Sequence, residues 1–412
     1  MLTLYEYQYI ILDNKQHVVL KMKNVKRRKH MFEMVNNRRV IFGERKIEEI
    51  PGILQWYGKK KVFFAVYSKE SDGYKRIADL FEKSGIEHVC YDAFQGEPDL
   101  HVINHGRDLF LKECCDCTLA LGGGTVIDAA KTIGMLAVNG GNVEEYQMEG
   151  RQVKTVPPLF IAVPTTSGTG AEATKTSVVY NNYNGLKKSL YHTTMIADVV
   201  ILDPELTTGL PKAITSATGM DALSHAIESY VSLNASPLTE IYGLKSMELV
   251  IKNLSIACRE PENLEARGNM MIASYLGGCA ITAGIGIAHI MAQPLGAKYK
   301  IPHGDACSIF LPVAMKLNLD YAEKKYADIA KALGVYRHGA TDRDNALAAI
   351  ERVKQLRVEI GAPVSLKPYI KEEPNMAEII DVIKRTTGHI TCNPRPLNEK
   401  LMEEAFWGAM EQ

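Results

Sequence analysis

Four side chains between Gly219 and Asp305 have the chemistry of metal ligands: Asp221, His225, His289 and His303. Asp221 and His225 are four residues apart, so on a helix they project from nearly the same face. The surrounding segment reads as helix, because Leu223, Ala226, Ile227, Tyr230 and Val231 recur at helical spacing and neither Gly nor Pro falls between Asp221 and Ser236. The span from His289 to His303 is punctuated by Pro294, Gly296, Pro302 and Gly304, which predicts a helix end, a loop and a turn. One carboxylate and three imidazoles form a hard-to-borderline donor set suited to Fe(II), Zn(II), Co(II) or Ni(II). The competing reading is an aspartate that caps a helix beside unrelated histidines, since short His patterns arise readily by chance.

The elements that must position these residues fall into two halves. From Met31 the chain alternates strand and helix. Strands are predicted at 39–43, 61–67, 88–91, 118–121, 158–163 and 199–204, with helices at 47–57, 74–84 and 100–112. The segment Val62-Phe63-Phe64-Ala65-Val66-Tyr67 is apolar on both faces, as a strand inside a parallel sheet must be. Strands alternating with helices predict a parallel sheet covered on both sides. From Leu210 the pattern turns helical, with helices predicted at 215–231, 238–256, 264–282, 321–333, 343–360, 376–386 and 398–410.

Two strands run into loops able to hold a ligand. The first loop is Gly122-Gly123-Gly124-Thr125 followed by an Ala-rich helix, for which Thr125 is the expected N-cap and Asp128 the capping-box partner. A strand, a glycine turn and a helix N-terminus present free N–H groups and a positive dipole end to an anion. The pattern is not GxGxxG, because Ile127 stands at the last glycine's place, nor a P-loop, because Lys131 lies too far into the helix. The second loop, Pro164-Thr165-Thr166-Ser167-Gly168-Thr169-Gly170-Ala171-Glu172-Ala173-Thr174, crowds hydroxyls and glycines at a strand's carboxyl end, where ligands bind open α/β sheets. Each alone is as often an ordinary connection. Together after two parallel strands they predict a shared nucleotide crevice. Lys187 and Lys188 follow on a polar hairpin turning through Asn181–Gly185.

Composition limits the partners. Lys plus Arg and Asp plus Glu each total 48 in 412 residues, so there is no net charge to draw nucleic acid or an anionic membrane. No apolar run has the length of a membrane span, and the first twenty residues lack the form of a secretory leader. The eight cysteines form no paired CxxC framework, Cys114, Cys115 and Cys117 having no matching second cluster, so a cytoplasmic protein with reduced thiols is expected. Residues 1–30 read as an extension, with a hairpin of Tyr5–Leu12 against His17–Met22 and a basic run, Lys26–His30, taken as a solvated linker. The expected domains are 1–30, an extension; 31–209, α/β; and 210–412, helical.

These residues resemble a known family, the iron-containing (group III) alcohol dehydrogenases. Gly122–Lys131 is similar to its GGGSxxDxAK signature with Thr125 for Ser, and Pro164–Glu172 to its PTTxGTGSE signature with Ala171 for Ser. Gly219–Glu228 and Ile301–Gly304 complete the set, so the resemblance spans Met31 to the C-terminus. It implies a Rossmann-like α/β dinucleotide-binding domain followed by an all-α domain, in a dehydroquinate synthase-like architecture with the metal in the cleft. It further implies Asp221, His225, His289 and His303 as ligands to Fe(II), or in some members Zn(II). Gly122, Gly123, Gly124 and Thr125 would hold the pyrophosphate, and Asp128, Thr165, Thr166, Thr169, Thr174 and Lys187 would line the nicotinamide and ribose. The implied reaction passes a hydride between NAD(P)(H) and a small alcohol or aldehyde whose oxygen the metal polarises. Family members commonly pair, so a homodimer or higher homo-oligomer is expected.

Two positions depart from the pattern. Gln293 stands where the family usually carries a histidine that assists proton transfer, and Gln does not titrate. Ser68 stands where NAD-preferring members often carry an aspartate on the ribose 2′-OH; with no carboxylate to repel a 2′-phosphate, NADP(H) is favoured over NAD(H). The alternatives are a glycerol dehydrogenase-like polyol oxidoreductase or dehydroquinate synthase-like lyase, against which four rather than three protein ligands argue, and a catalytically impaired binding or assembly subunit, which Gln293 motivates.

Overall fold

The computed structural model describes residues 11–12, 18–19, 32–94 and 96–412. Of the expected N-terminal hairpin it describes two short strands, β1 (Ile11–Leu12) and β2 (Val18–Val19), paired antiparallel with Ile11 opposite Val19. The basic run Lys26–His30 lies outside the described residues.

The remaining chain begins with a six-stranded parallel sheet: β3 (Arg39–Phe42), β4 (Lys61–Val66), β5 (Glu87–Tyr91), β6 (Cys117–Gly122), β7 (Phe160–Pro164) and β10 (Val199–Leu202), in the order β3-β10-β7-β6-β4-β5. Alternation within β4 shows why that strand is apolar throughout. Val62, Phe64 and Val66 pack with Ile50 and Leu54 of α1 (Ile50–Trp56) and Ile77 and Phe81 of α2 (Asp72–Ser84). Phe63 and Ala65 point to the other face, against Ile103 of α3 (Leu100–Lys112) and Ile133 of α4 (Gly124–Asn139). β4 and β6 are neighbours, yet the helices that follow them cover opposite faces, which opens a crevice at their carboxyl ends. A short helix, α5 (Val143–Met148), and an antiparallel hairpin, β8 (Thr176–Asn181) with β9 (Leu186–Tyr191), complete this half.

The helices of the second half are α6 (Lys212–Val231), α7 (Pro237–Arg259), α8 (Leu264–Ala280), α9 (Ile287–Tyr299), α10 (His303–Ala332), α11 (Asp342–Ile360), α12 (Met376–Thr387) and α13 (Glu399–Met410). They share two apolar cores, one among α6, α7, α8, α10 and α11, the other among α9, α10, α12 and α13. Among the described residues no single helix is long and apolar enough to cross a membrane.

The expected loop between His289 and His303 is in fact mostly helix. α9 runs through Pro294 and ends at Lys300 in a left-handed conformation, and α10 starts at His303 rather than near Tyr321. Both helices contain a proline, which removes the N–H that would bond the carbonyl four residues back. Each freed carbonyl has a side-chain donor instead. The Thr387 hydroxyl donates to Ile290 O at 3.0 Å, and the Arg357 guanidinium to Ser308 O at 3.1 Å, four residues before Pro294 and Pro312 respectively. α10 then bends at Ala322, whose backbone leaves the helical region.

Candidate metal centre and nucleotide crevice

Three helices bring candidate ligands to one point: Asp221 and His225 from α6, His289 from α9, and His303 and Cys307 from α10. The close approach of α10 to α6 depends on Gly304, where a Cβ would meet Ala217 O at 2.1 Å. Asp221 Oδ1 lies 3.3 Å from His289 Nε2, 3.5 Å from His303 Nε2 and 3.7 Å from His225 Nε2. Cys307 Sγ lies 3.7 Å from both His289 Nε2 and His303 Nε2. Asp221, His289, His303 and Cys307 each offer a donor atom, all within 4.8 Å of one another. His225 lies beside this group, its ring stacked on His289 at 4.6 Å. A tetrahedral ion with N, O and S bonds of about 2.0–2.3 Å holds its ligand atoms roughly 3.3–3.6 Å apart. Four of the distances between these donor atoms, 3.3–3.7 Å, fall close to that spacing, so the residues fit a transition-metal ion.

A carboxylate backs the cluster. Glu228, seven residues after Asp221 and on the same face of α6, takes the Nδ1 proton of His289 at 2.5 Å and the Ala288 N–H at 2.7 Å. This directs the Nε2 of His289 to the ligand group. Glu228 is buried, and no local sequence pattern marks its role. Cys307 was missed for a different reason. Its four-residue spacing from His303 signals a shared face only once His303 is known to start a helix.

The electrostatics of the cluster favour a positive charge at its centre. Burial alone would raise the Asp221 carboxyl, but His225, His303 and His289 outweigh it and hold it well below the usual carboxylate range. Burial lowers His225, with Asp221 opposing only in part. A third of His303 reaches solvent, yet the protein packed about its ring pushes it down to about 4. His289 goes the other way: burial would lower it, but Cys307, Glu228 and Asp221 raise it well above an ordinary imidazole. Burial lifts the Cys307 thiol to about 12.

The crevice lies at the ends of β4, β6 and β7. Thr165 N–H donates to Gly122 O, joining the two loops. α4 starts at Gly124 with Gly123 as its N-cap and no side chain bonding its first turn. Neither Thr125 nor Asp128 therefore caps it as expected. The Asp128 carboxylate is drawn instead to Val178 N–H at 2.9 Å and Lys131 Nζ at 3.2 Å. The uncapped N–H groups suit an anion. A Cβ at Gly123 would meet Thr166 Oγ1 at 3.2 Å, and one at Gly124 would meet Thr169 Cγ2 at 2.8 Å, so Thr165, Thr166 and Thr169 border the glycine turn. Ser68 stands just past β4, beside the same crevice, its hydroxyl accepting from Glu70 N–H. Thr174 is buried, its hydroxyl donating to Ala171 O and accepting from Lys131. Lys131, itself buried, also donates to the carbonyls of Ala171, Thr174 and Thr176 and so fastens the second loop. Lys187 on β9 pairs with Glu97, and its carbonyl accepts from Gln293 at 3.5 Å.

The second loop also reaches the metal centre. Gly168 lies against Thr218, one turn before Asp221, and Gly170, at φ 58°, lies against Ser274 and Gly278 of α8. The buried His225 Nδ1 has no hydrogen-bond partner among the described residues.

Comparison with known proteins finds relatives along most of the chain. Residues 37–204 match the family described as iron-containing alcohol dehydrogenase, and residues 215–410 match its C-terminal part, described as Fe-containing alcohol dehydrogenase family, C-terminal. The chain is 35% identical over 378 residues to 1,3-propanediol dehydrogenase of Klebsiella pneumoniae, covering 89% of this chain and 95% of that protein. It is 33% identical over 362 residues to NAD-dependent methanol dehydrogenase of Bacillus methanolicus, covering 86% and 93%. Among solved structures, a 1,3-propanediol oxidoreductase superposes with a TM-score of 0.88 at 32% identity, covering 92% of this chain and 100% of that one.

Proposed function

The chain belongs to the iron-containing alcohol dehydrogenase family, and on that footing we propose that Asp221, His225, His289 and His303 hold its ion and that the crevice above them holds its nicotinamide cofactor. It is an oxidoreductase that interconverts alcohols and aldehydes. When bound, the ion supplies Lewis acidity toward the substrate oxygen and the nicotinamide supplies or takes the hydride. The observation that carries the reading is the convergence of donor atoms from α6, α9 and α10 beside the loop that also borders the crevice.

The protein's own residues then have these parts. Residues 31–209 form the nucleotide half and 210–412 the metal half. Gly122, Gly123, Gly124 and Thr125 take the pyrophosphate at the uncapped start of α4. Thr165, Thr166 and Thr169 offer hydroxyls toward ribose and nicotinamide, while Asp128 and Thr174 support the loops from below. Gln293, one turn beyond His289, orients by hydrogen bonding but exchanges no proton. Ser68 leaves room for a 2′-phosphate, so NADP(H) is used alongside NAD(H), the cofactor named for the methanol dehydrogenase relative. The substrates are short primary alcohols and their aldehydes, in keeping with the relatives' names. A cytoplasmic location, in keeping with eight free thiols, and a homodimeric assembly belong to the same reading.

The test is oxidation of NADH and of NADPH with short aldehydes, by metal-stripped protein and after reloading with Fe(II) or Zn(II). Turnover that returns only with metal is expected; metal-independent turnover would overturn the reading. Gln293→His restores a titrating group and should raise kcat, by up to about 10²-fold. An unchanged kcat would show that another group already moves that proton.

A further inference from the structure

We propose that Lys187 and Glu97 form the proton path of the reaction, with the Lys187 ammonium as the group that protonates the substrate oxygen in aldehyde reduction. The inference rests on the oxidoreductase reading above and deepens it: Gln293 exchanges no proton, so the reaction still needs a group that does.

Three observations carry it. The first is position. β9 lays Lys187 against α9, where its carbonyl accepts from Gln293 Nε2 at 3.5 Å, one turn beyond His289. With Pro294, Ala297 and Thr386, Lys187 also lines a cavity of about 230 Å³ between the hairpin and the helices α9 and α12. The second is the ammonium itself. The Lys187 side chain is 12% exposed, and its positive charge reaches His303 and helps to lower that imidazole. The third is the partner. Glu97 Oε1 accepts from Lys187 Nζ at 2.6 Å, while the Glu97 side chain is 46% exposed and its charge also reaches Asp128 of α4. One end of the pair therefore faces the metal centre, and the other opens to solvent beside the crevice. Lys298 and Arg385 share the cavity but are tied to Glu378 and Asp381, so neither competes for Glu97.

The step balances with the nicotinamide as the redox partner. In aldehyde reduction the carbonyl carbon takes the hydride from the reduced nicotinamide and the π pair moves to oxygen. An N–H bond of the ammonium breaks as the O–H bond forms. The neutral amine regains a proton from water along Glu97. Alcohol oxidation runs the same steps backward.

Substitutions at position 187 separate proton transfer from charge and from binding. Lys187→Arg keeps the positive charge but gives up no proton, and Lys187→Met keeps the length of the side chain without either. In metal-loaded full-length protein, kcat for short aldehydes should fall about 10²-fold or more in both variants. The fall of kcat on the alkaline side expected of the unaltered protein should be missing from both. Gln293→His should raise kcat more in Lys187→Met than alone, because there it supplies a missing donor. Glu97→Gln, at a half-exposed site that folding tolerates, should lower kcat several-fold. An unaltered rate in Lys187→Arg would show that charge suffices and overturn the proton role. So would an alkaline fall that survives Lys187→Met, or an unchanged kcat in Glu97→Gln. The Kd for NADPH, read from its fluorescence, should move far less than kcat; a Kd that rises as much as kcat falls would make Lys187 a cofactor-binding residue and overturn the proposal. No turnover by the unaltered protein with either metal would remove the oxidoreductase reading and this proposal together.

Discussion

Glu228 is placed to act on an ion held at the proposed site through His289, and its contribution can be isolated. Glu228→Gln keeps the size of the side chain but weakens acceptance from His289 Nδ1 and leaves the ring less firmly oriented. Metal affinity should fall by about 10- to 100-fold, measured by titration of the stripped protein with Zn(II) against a chelator. An unchanged affinity would mean that the surrounding packing alone orients the ring. Single residues were legible in the sequence in proportion to the regularity of their surroundings. Asp221 and His225 lie on a helix free of Gly and Pro, so their shared face could be read directly. Glu228 lies on that face as well, but its partner is 61 residues away, and no local pattern announces it.

At the level of elements, the main surprise is that α9 and α10 pass through Pro294 and Pro312. Proline reads locally as a breaker, and Gly296 and Pro302 reinforce that reading. The compensating donors come from Thr387 and Arg357, 97 and 49 residues away, so the helices exist because of tertiary partners that a local window does not contain. Misreading this region also hid Cys307, whose relation to His303 exists only on a helix. Thr387→Val conserves volume and removes the hydroxyl at a buried site. It leaves Ile290 O without this donor and should cost about 1–3 kcal/mol, measured by urea denaturation. Metal affinity should weaken in parallel, since α9 carries His289. The glycine turns were legible in place but not in detail: Asp128, three residues after Thr125, has the spacing of a capping residue, yet Lys131 and the Val178 amide claim its carboxylate.

For the molecule as a whole, alternation of strand and helix was enough to predict a parallel sheet followed by helices. The strand order was not readable, because β3 pairs with β10 across the whole first half. Beneath the crevice this half buries Asp128, Lys131 and Glu172 together. Burial, only partly offset by a backbone hydrogen bond and Lys131, raises the Glu172 carboxyl from 4.5 to about 7. The folded protein therefore holds this proton to higher pH than the unfolded chain does. Between pH 4.5 and 7 the native state binds more protons, and stability falls as pH rises, by on the order of 3 kcal/mol from this group. Glu172→Gln should flatten that part of the stability–pH curve, read from urea midpoints at fixed metal content. A slope unchanged by the substitution would assign the dependence to other groups.

The loop 165–170 rests on the glycine turn at one end and on Thr218 and Gly278 at the other. A single strap thus spans the two proposed sites, and if both are filled thermodynamic reciprocity follows: whatever factor the nicotinamide cofactor adds to the hold on the ion, the ion must add to the hold on the cofactor. Calorimetric titrations closing that cycle should return one shared factor, about 5-fold or more. Gly168→Ala, which thrusts a methyl group into Thr218, should shrink it toward unity.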